Sequence, residues 1–497
     1  MIEFGLALVF LFFLLAFVFL VRSDHQRYFG VVFMIRSHYG IKVIDSLSRF
    51  YPGFWKFIAD LSVLLSFGGL GGYYLSSHRE SRDNLYKSIL VLGLLSCVPV
   101  YFIKGGLYSF AAFLASFAAY MILSRFKNPF IDFIGASCLF SAFSSVFLSA
   151  FSSLRLDGFF ASVFLGVFGL PSILIYGLFS HGLNILSAES NMPGVSPMVP
   201  TSRDGNVGVG FPGYDLFIPW WHALLALFVT LVVHEGAHGV LVRVAKVKLK
   251  STGILSLFSI PVGAFVEPDE EGLNRKSSVS RMRVFSMGSF ANIATGLVGV
   301  VLILSLALAS RTIMSSNGFR VVGHISGLGA EENLPDGTVI YSFNGVSASD
   351  VEAYKNATLG VKPGERVLLN TSAGLLDVVL KQNPEDVSRG YIGVYLVEDI
   401  SIKPEYAGFV SIGLLQYLFE ALGWVIFFNI NIGLVNLLPV VPFDGGRMFK
   451  EFAETLRLSE LNVNRVLYAV LGLTSVLLLV NMLPLFGIVA DYIISRL

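Results

Sequence analysis

The sequence has little charge and almost no cysteine. Only 14% of its 497 residues are charged, against 54% hydrophobic, so a soluble fold is excluded and a polytopic membrane protein is expected. The 35 basic and 34 acidic residues nearly balance, which gives no sign of a nucleic-acid partner. The two cysteines, Cys97 and Cys138, lie in separate apolar segments without metal-ligand spacing, which predicts buried packing residues.

Long apolar runs fill the first third of the chain, residues 1–185, and predict an α-helical bundle of about six spans. The runs lie near 2–21, 54–76, 88–103, 106–124, 129–152 and 158–183. The first run lacks a basic start and a small-residue cleavage site, so we expect a retained transmembrane helix. Residues 28–53 mix apolar residues with Arg36, Lys42 and Arg49, which indicates an interfacial or re-entrant segment.

The middle of the chain changes character twice. Residues 186–215 are rich in proline and glycine and predict a loop outside the bilayer. Residues 216–310 then contain an apolar helix, a further span near 284–309 and, between them, a short segment rich in β-formers around Pro261-Val262-Gly263. That short segment predicts a hairpin or a re-entrant loop.

Residues 311–400 have the composition of a soluble domain inserted between spans. Alternating strands are expected at 320–325, 338–343 and 366–370, with turns at Asn344-Gly345 and Pro363-Gly364. Residues 327–345 resemble a PDZ domain, which implies a small α+β fold that binds extended peptide by strand addition. A spacer of the same fold without a peptide is the alternative. Residues 401–497 return to the membrane for the final spans.

The central chemical feature is an H-E-x-x-H motif inside an apolar run. It comprises His234, Glu235 and His238, within residues 217–244. Positions i and i+4 share a helix face, so both imidazoles can bind one catalytic Zn²⁺ while Glu235 is close enough to act as the base on a water molecule. With eight histidines in the chain, a chance match is expected roughly 0.005 times. A satisfied core cluster or part of a transporter's ion path are the alternatives.

A catalytic zinc normally has a third protein ligand, and Asp444 is the candidate. It ends an apolar segment broken by Pro439, Pro442, Gly445 and Gly446, where a lone carboxylate at membrane depth is expected to have a role. The alternative is a helix N-cap, for which aspartate is well suited. One carboxylate could serve both purposes.

With these residues the chain resembles the site-2 protease family of intramembrane (M50-like) zinc metalloproteases. The shared patterns are H-E-x-x-H and the later N-x-x-P-x-x-P-x-D-G, read here at 436–445. The resemblance covers 216 to about 450 and implies that His234, His238 and Asp444 bind zinc while Glu235 acts as base. A further family pattern, G-P-x-x-N, appears at 288–292 with serine in place of proline.

The resemblance also implies roles for three asparagines and for the hairpin. Asn431 and Asn436 match family asparagines that contact the substrate or the tetrahedral intermediate, and Asn292 is a second candidate donor to the oxyanion. The segment 251–266 would offer a strand edge, expected within 254–260, to an unwound substrate. A plain connector is the alternative for this segment.

Basic residues predict the orientation of the chain in a cell membrane. Eight of them lie between the motif helix and the next span, at positions 243, 246, 248, 250, 275, 276, 281 and 283. The positive-inside rule makes that side cytosolic and places the active site towards it, with the PDZ-like insert exterior.

The expected activity is regulated intramembrane proteolysis of transmembrane protein substrates, carried out in the lipid bilayer. A membrane metal transporter and a catalytically inactive PDZ-bearing scaffold are the alternatives. The transporter is disfavoured because the motif supplies a base as well as ligands. The scaffold is disfavoured because every expected catalytic residue is present.

Overall fold

The computed structural model describes residues 26–28, 32–104, 106–150, 158–257, 260–325, 334–383, 386–456 and 459–494. The predicted helix at 2–21 therefore lies outside the described residues. Two compact units are present: Met1–Gly299 with Gly423–Leu497, and Val300–Leu422. Within the described residues, six helices are long and apolar enough to cross a membrane.

The first half of the chain is mainly helical. Its helices are α1 (Tyr39–Arg49), α2 (Pro52–Ser77), α3 (Arg79–Lys104), α4 (Gly106–Phe126), α5 (Pro129–Ala150), α6 (Gly158–Phe168) and α7 (Pro171–Leu186). The run at 158–183 is two helices rather than one, because Gly169 takes a φ of +73° between them. Among these helices, α2 and most of α4 reach the length and hydropathy of a span.

The loop at 186–215 leads into a small antiparallel sheet of β3 (Val199–Arg203), β4 (Asn206–Gly210) and β5 (Phe217–Pro219). The motif helix α8 (Trp220–Val244) follows directly after Pro219, its N-cap residue, which ends the strand β5. The first turns of α8 therefore pack against this sheet, where Ile218 of β5 and Ala226 of α8 are buried together with Phe428.

A second sheet lies at the other end of α8. Its strands are β1 (Gln26–Tyr28), β2 (Val32–Ser37), β6 (Leu249–Leu257) and β7 (Ile260–Pro268), in the order β1-β2-β6-β7 and all antiparallel. The expectation of a free edge within 254–260 is wrong for β6, which pairs with β2 on one side and β7 on the other. In the part of the chain that the structure describes, β7 pairs only with β6, so the available edge next to α8 belongs to β7.

The remaining helices of this unit are α9 (Glu270–Asn274), α10 (Ser278–Ile313), α12 (Ile412–Asn436), α13 (Asp444–Thr455) and α14 (Glu460–Ile494), and α10 and α12 continue into the other unit. A buried ion pair between Asp60 and Arg283 connects α2 to α10. Nε and Nη2 of Arg283 each donate to the carboxylate of Asp60 at 2.7 Å. Asn84 of α3 donates a third bond to Asp60. Such a pair needs this many partners because an unpaired buried charge is costly.

The unit Val300–Leu422 contains a small α+β fold. Its strands are β8 (Met314–His324), β9 (Val339–Phe343), β10 (Val346–Ser347), β11 (Arg366–Thr371), β12 (Gly374–Val379), β13 (Lys381–Gln382), β14 (Gly390–Tyr391) and β15 (Val394–Ile402), with the helix α11 (Val351–Leu359). The main sheet has the order β12-β11-β9-β8-β15. Asn344 and Gly345 both have positive φ in the two-residue turn between β9 and β10, as the sequence predicted for this pair.

Candidate metal centre

The two motif histidines share one face of α8. His234 and His238 are one turn apart, and their ring centroids are 4.7 Å apart at an angle of 83°. Helical spacing alone produces this approach, because side chains at i and i+4 lie one above the other. Both rings face the interior of the unit, where His234 is buried.

Asp444 reaches the histidines from the first residue of α13. The turn before it is so tight that a Cβ on Gly445 would lie 2.1 Å from the carbonyl oxygen of Leu437, so only glycine fits there. The N-cap of α13 is Phe443, so Asp444 lies at the first position inside the helix and not at its cap. The alternative role of Asp444 as a helix cap is therefore wrong, and its carboxylate points to the histidines.

The three donor atoms form a nearly equilateral triangle. The two Nε2 atoms of His234 and His238 are 3.2 Å apart, and each lies 3.1 Å from Oδ2 of Asp444. A tetrahedral zinc with ligands at about 2.0–2.1 Å requires donor separations of roughly 3.3 Å. The arrangement therefore fits a zinc ion, and it leaves the open position that a catalytic site needs.

Space for the ion is kept open by Gly288 of α10. A Cβ at this position would lie 2.3 Å from Nε2 of His238 and 2.8 Å from Nε2 of His234. Any side chain there would therefore occupy the place of the metal. This is a second observation, independent of the donor set, that fits a bound ion.

The outer nitrogen of each ring has its own partner. Nδ1 of His238 donates to the carbonyl oxygen of Val284 at 2.7 Å, which leaves Nε2 free to bind a metal. Nδ1 of His234 lies 3.1 Å from the side-chain amide of Asn292, which is fully buried. When the amide of Asn292 is oriented so that its oxygen accepts the Nδ1 proton, His234 has the same tautomer as His238, with Nε2 free to bind a metal.

The position of Asn292 changes how its sequence-predicted role is interpreted. Its amide contacts the outer side of the His234 ring, opposite the nitrogen that faces Asp444. This contact favours orientation of the ligand over stabilisation of an oxyanion. Conversely, Asn436 lines the cavity at the centre, whereas Asn431 is exposed and bonds the carbonyl oxygen of Phe427 within its own helix.

Glu235 faces the same cavity and contacts the edge strand. The cavity has a volume of about 380 Å³ and is lined by both histidines, Asp444, Asn436 and Val266. The carboxylate of Glu235 accepts a hydrogen bond of 3.0 Å from the backbone N–H of Val266 in β7. Glu235, the candidate catalytic base, is therefore in direct contact with the edge strand β7.

Polar contacts connect the strands at the end of the hairpin where β6 begins and β7 ends. Ser251 donates to Glu267 at 2.6 Å, and Arg36 of β2 lies 3.5 Å from the same carboxylate. The Ser251 hydrogen bond and the nearby Arg36 charge lower the pKa of Glu267 below its usual value. The three strands β2, β6 and β7 are therefore connected by an ionised carboxylate at physiological pH.

Sequence reasoning missed several residues of the centre. Val284 and Val266 act through backbone groups, for which a side-chain motif carries no signal. Gly288 is the glycine of G-P-x-x-N, but the pattern did not indicate that its missing side chain leaves space beside the histidines. Ser289 was noticed only as a departure from G-P-x-x-N, and its buried hydroxyl lies 3.5 Å from Asp444. Substitution of the family proline therefore places an additional polar group beside the third donor.

Comparison with known proteins gives one family and two relatives. A model of peptidase family M50 matches residues 222–481, more than half of the chain. An uncharacterized protein of Methanocaldococcus jannaschii is 27% identical over 294 residues, which are 59% of this chain and 72% of that protein. Zinc metalloprotease RasP of Shouchella clausii is 27% identical over 253 residues, which are 40% of this chain and 59% of RasP. The match to RasP thus spans less than two thirds of that protein's length.

Among solved structures, the PDZ domain of the SdrC-like protein of Listeria monocytogenes is similar to a small part of the chain. It is 21% identical, with a TM-score of 0.15, and the match covers 16% of this chain and 88% of that one.

Proposed function

The chain belongs to peptidase family M50, and on that premise we propose that it is an intramembrane zinc metalloprotease. It would cleave peptide bonds within or near the transmembrane helices of membrane proteins, as in regulated intramembrane proteolysis. Family membership makes the chain a membrane metalloprotease. The observation that carries the finer proposal is the convergence of three donor atoms and Glu235 on one cavity among apolar helices.

We assign the ligands and the base as follows. His234, His238 and Asp444 would hold one catalytic zinc ion, which supplies a Lewis acid that activates water and polarises the scissile carbonyl. Glu235 would take a proton from the attacking water and deliver it to the leaving amine. The Glu235 oxygen that accepts from the Val266 N–H would be released when a substrate pairs with that N–H.

A donor for the developing oxyanion is needed beside the ligands. Asn436 suits this role because its amide lines the cavity and, being neutral, is less costly to place in an apolar site than a cation. Asn292 is better placed as a positioning residue for His234. Asn431 is assigned only a substrate contact at the exposed face of α12.

The substrate must be extended before its backbone can be attacked, because helical carbonyls are bonded internally. We propose that β7 binds the extended substrate through its free edge. Since the Val266 N–H points away from β6 to Glu235, strand alternation directs the Ala264 N–H outward as well. These two amides would pair with a substrate backbone next to the proposed zinc ligands.

The inserted α+β unit is proposed to be a PDZ-like peptide-binding domain. Among the described residues, its outer strand β15 pairs on one side only in the main sheet, and the other side would be able to accept a further strand. A cavity of about 170 Å³ beside it is lined by Val394 and Leu396 of β15 and by Tyr354 and Thr358 of α11. This combination of edge and apolar pocket suits an extended peptide, whereas exclusion of bulky substrates is the second candidate role.

The orientation is also part of the proposal. The basic residues from the last turn of α8 to the first turns of α10 favour a cytosolic position for that side of a cell membrane. The active site would then lie towards the cytosol and the inserted unit outside.

The proposal is tested with purified protein and a single-span membrane substrate in vesicles. Zinc chelation should abolish cleavage and zinc should restore it, while Glu235→Gln should lower turnover by about 10²–10⁴-fold with its zinc content unchanged. The matched control is Glu271→Gln, since Glu271 is highly exposed and pairs with Arg275 at the surface. Full cleavage by Glu235→Gln would contradict the mechanism, and zinc uptake into sealed vesicles would favour a transporter.

A further inference from the structure

The short helix α1 exposes an apolar face that nothing in the described part of the chain covers. Tyr39, Val43 and Phe50, the last directly after the helix, have 81%, 61% and 72% of their surface exposed. With Leu47 they follow the spacing i, i+4, i+8 and i+11, which places them on one side.

The other sides of α1 differ in chemistry. Ile44 and Ser48 are buried against the rest of the unit, while Lys42 and Arg49 are exposed along one border of the apolar face. Asp45 is engaged by Arg243, whose Nη2 lies 3.2 Å from its Oδ2. The exposed charge of the helix is therefore mainly positive. An apolar face bordered by cations is typical of helices that lie in a membrane interface.

The position of α1 in the chain adds an independent argument. Only two residues, Phe50 and Tyr51, separate it from α2, which has the length and hydropathy of a membrane span. The indole of Trp55 donates to the carbonyl oxygen of Leu47 at 2.8 Å and fixes the angle between the two helices. Aromatic residues gather at this junction, as they do where helices enter a bilayer. The exposed face is thus held close to a lipid surface.

We propose that α1 is an in-plane helix that binds the interface of a bilayer leaflet containing anionic lipid. Its apolar face would insert at the boundary of the acyl chains, and Lys42 and Arg49 would contact the anionic headgroups. A second copy of the chain or a soluble partner on this face would give a different result in the test below.

The opposite face of α1 would connect this lipid contact to the metal centre. Ile44 packs on Gly239, the residue after His238, so closely that a Cβ there would lie 2.7 Å from Cδ1 of Ile44. Gly40 approaches the side chain of Thr252 in β6 in the same way. Movement of α1 at the lipid surface would therefore act on both the ligand helix and the hairpin.

The test measures the depth of α1 in vesicles by spin labelling of the full chain. The native Cys97 and Cys138 are replaced by serine, and Val43→Cys carries the label. Val298→Cys in the span α10 is the control for hydrocarbon, and Glu365→Cys in the inserted unit is the control for water; both residues are exposed. We expect the Val43 label to be accessible to oxygen and shielded from a water-soluble nickel chelate, as at Val298.

A second comparison tests whether Lys42 and Arg49 contact anionic headgroups. Adding anionic lipid to neutral vesicles should move the Val43 label deeper, and the double variant Lys42→Gln, Arg49→Gln should remove that shift. Nickel accessibility equal to that of the Glu365 label would overturn the proposal, as would spin–spin coupling between Val43 labels of two molecules. A shift unchanged in the double variant would overturn the anionic-lipid contact. None of these readouts depends on proteolysis.

Discussion

At the scale of single residues, the centre depends on what lies behind the ligands as much as on the ligands themselves. Gly288 leaves the space between the histidines and Asp444 open, and Asn292 and Val284 contact the outer nitrogens of the two rings. These contacts place both Nε2 atoms in the same small volume. Metal affinity should therefore be sensitive to residues that never touch the ion.

Gly288→Ala should abolish zinc binding, because the added methyl group would lie 2.3 Å from Nε2 of His238. The measurement is zinc per protein after purification, with thermal unfolding as a check on the fold. Gly236→Ala is the matched control, since a Cβ at this glycine of α8 would have no neighbour within 4 Å. Full zinc occupancy in the Gly288 variant would contradict the assigned position of the ion.

Asn292→Ala should weaken zinc binding by about 10–100-fold, the usual effect of losing a group that orients a histidine ligand. Asn292→Asp should retain most of the affinity, because its carboxylate can still accept the Nδ1 proton of His234. Competition with a fluorescent chelator measures both. If Asn292→Ala keeps its zinc affinity and loses turnover alone, the residue belongs to the oxyanion site instead.

The sequence predicted the ligand set but not these supporting residues. H-E-x-x-H and the distant Asp444 are side-chain patterns, and three of the residues that complete the centre act by a carbonyl, an N–H or an absent Cβ. The ion pair between Asp60 and Arg283 was not predicted, for a related reason. Asp60 stands alone in an apolar run and Arg283 was read only as part of a basic cluster, and only the packing of α2 on α10 brings them together.

At the scale of elements, two contacts decide whether the centre can work: the edge of β7 and the attachment of α13. The sequence predicted a hairpin or a re-entrant loop, and the structure has the hairpin. The free edge was expected on β6, but β6 pairs with β2, whose residues lie more than 200 positions earlier in the chain. Likewise, Asp444 was predicted as a ligand, while the contacts that hold its helix were not.

Ala264→Pro should slow cleavage at least tenfold without changing zinc content, since it removes an outward N–H from the edge of β7. Ala264→Val is the control, because it keeps the N–H and suits a strand. Initial rates and zinc content are measured on the same preparations. Equal rates for the two variants would contradict substrate pairing at this edge.

Glu451→Gln should destabilise the attachment of α13. Both carboxylate oxygens of Glu451 are bonded by Arg281, at 2.6 and 2.8 Å, and Ser278 donates to Oε2. Loss of the charge should lower the free energy of unfolding by roughly 1–3 kcal/mol and release zinc more readily on heating.

The control for this helix is Glu454→Gln. Glu454 lies 3.6 Å from the same arginine but is nearly half exposed, and exposed pairs contribute roughly 0–1 kcal/mol. Equal melting temperatures for the two variants would show that Glu451 does not hold α13 in place.

At the scale of the whole molecule, the metal centre of this membrane metalloprotease is built from helices in distant parts of the chain. His234 and His238 come from α8, Gly288 from α10 and Asp444 from α13, while α2 of the first bundle is bonded to α10. Composition and hydropathy predicted the membrane class. They could not predict which helices meet, because apolar spans are alike in sequence and their neighbours are chosen by a few buried polar contacts.

The central claim, proteolysis within the bilayer, is tested most directly by mapping the cleavage site. Purified protein and a single-span substrate are placed in the same vesicles, and the new termini are identified by mass spectrometry, with Glu235→Gln as the parallel sample. We predict termini inside or at the border of the substrate's apolar span, absent with Glu235→Gln and absent after zinc chelation. Termini only in the soluble parts of the substrate, or the same termini with Glu235→Gln, would contradict the account.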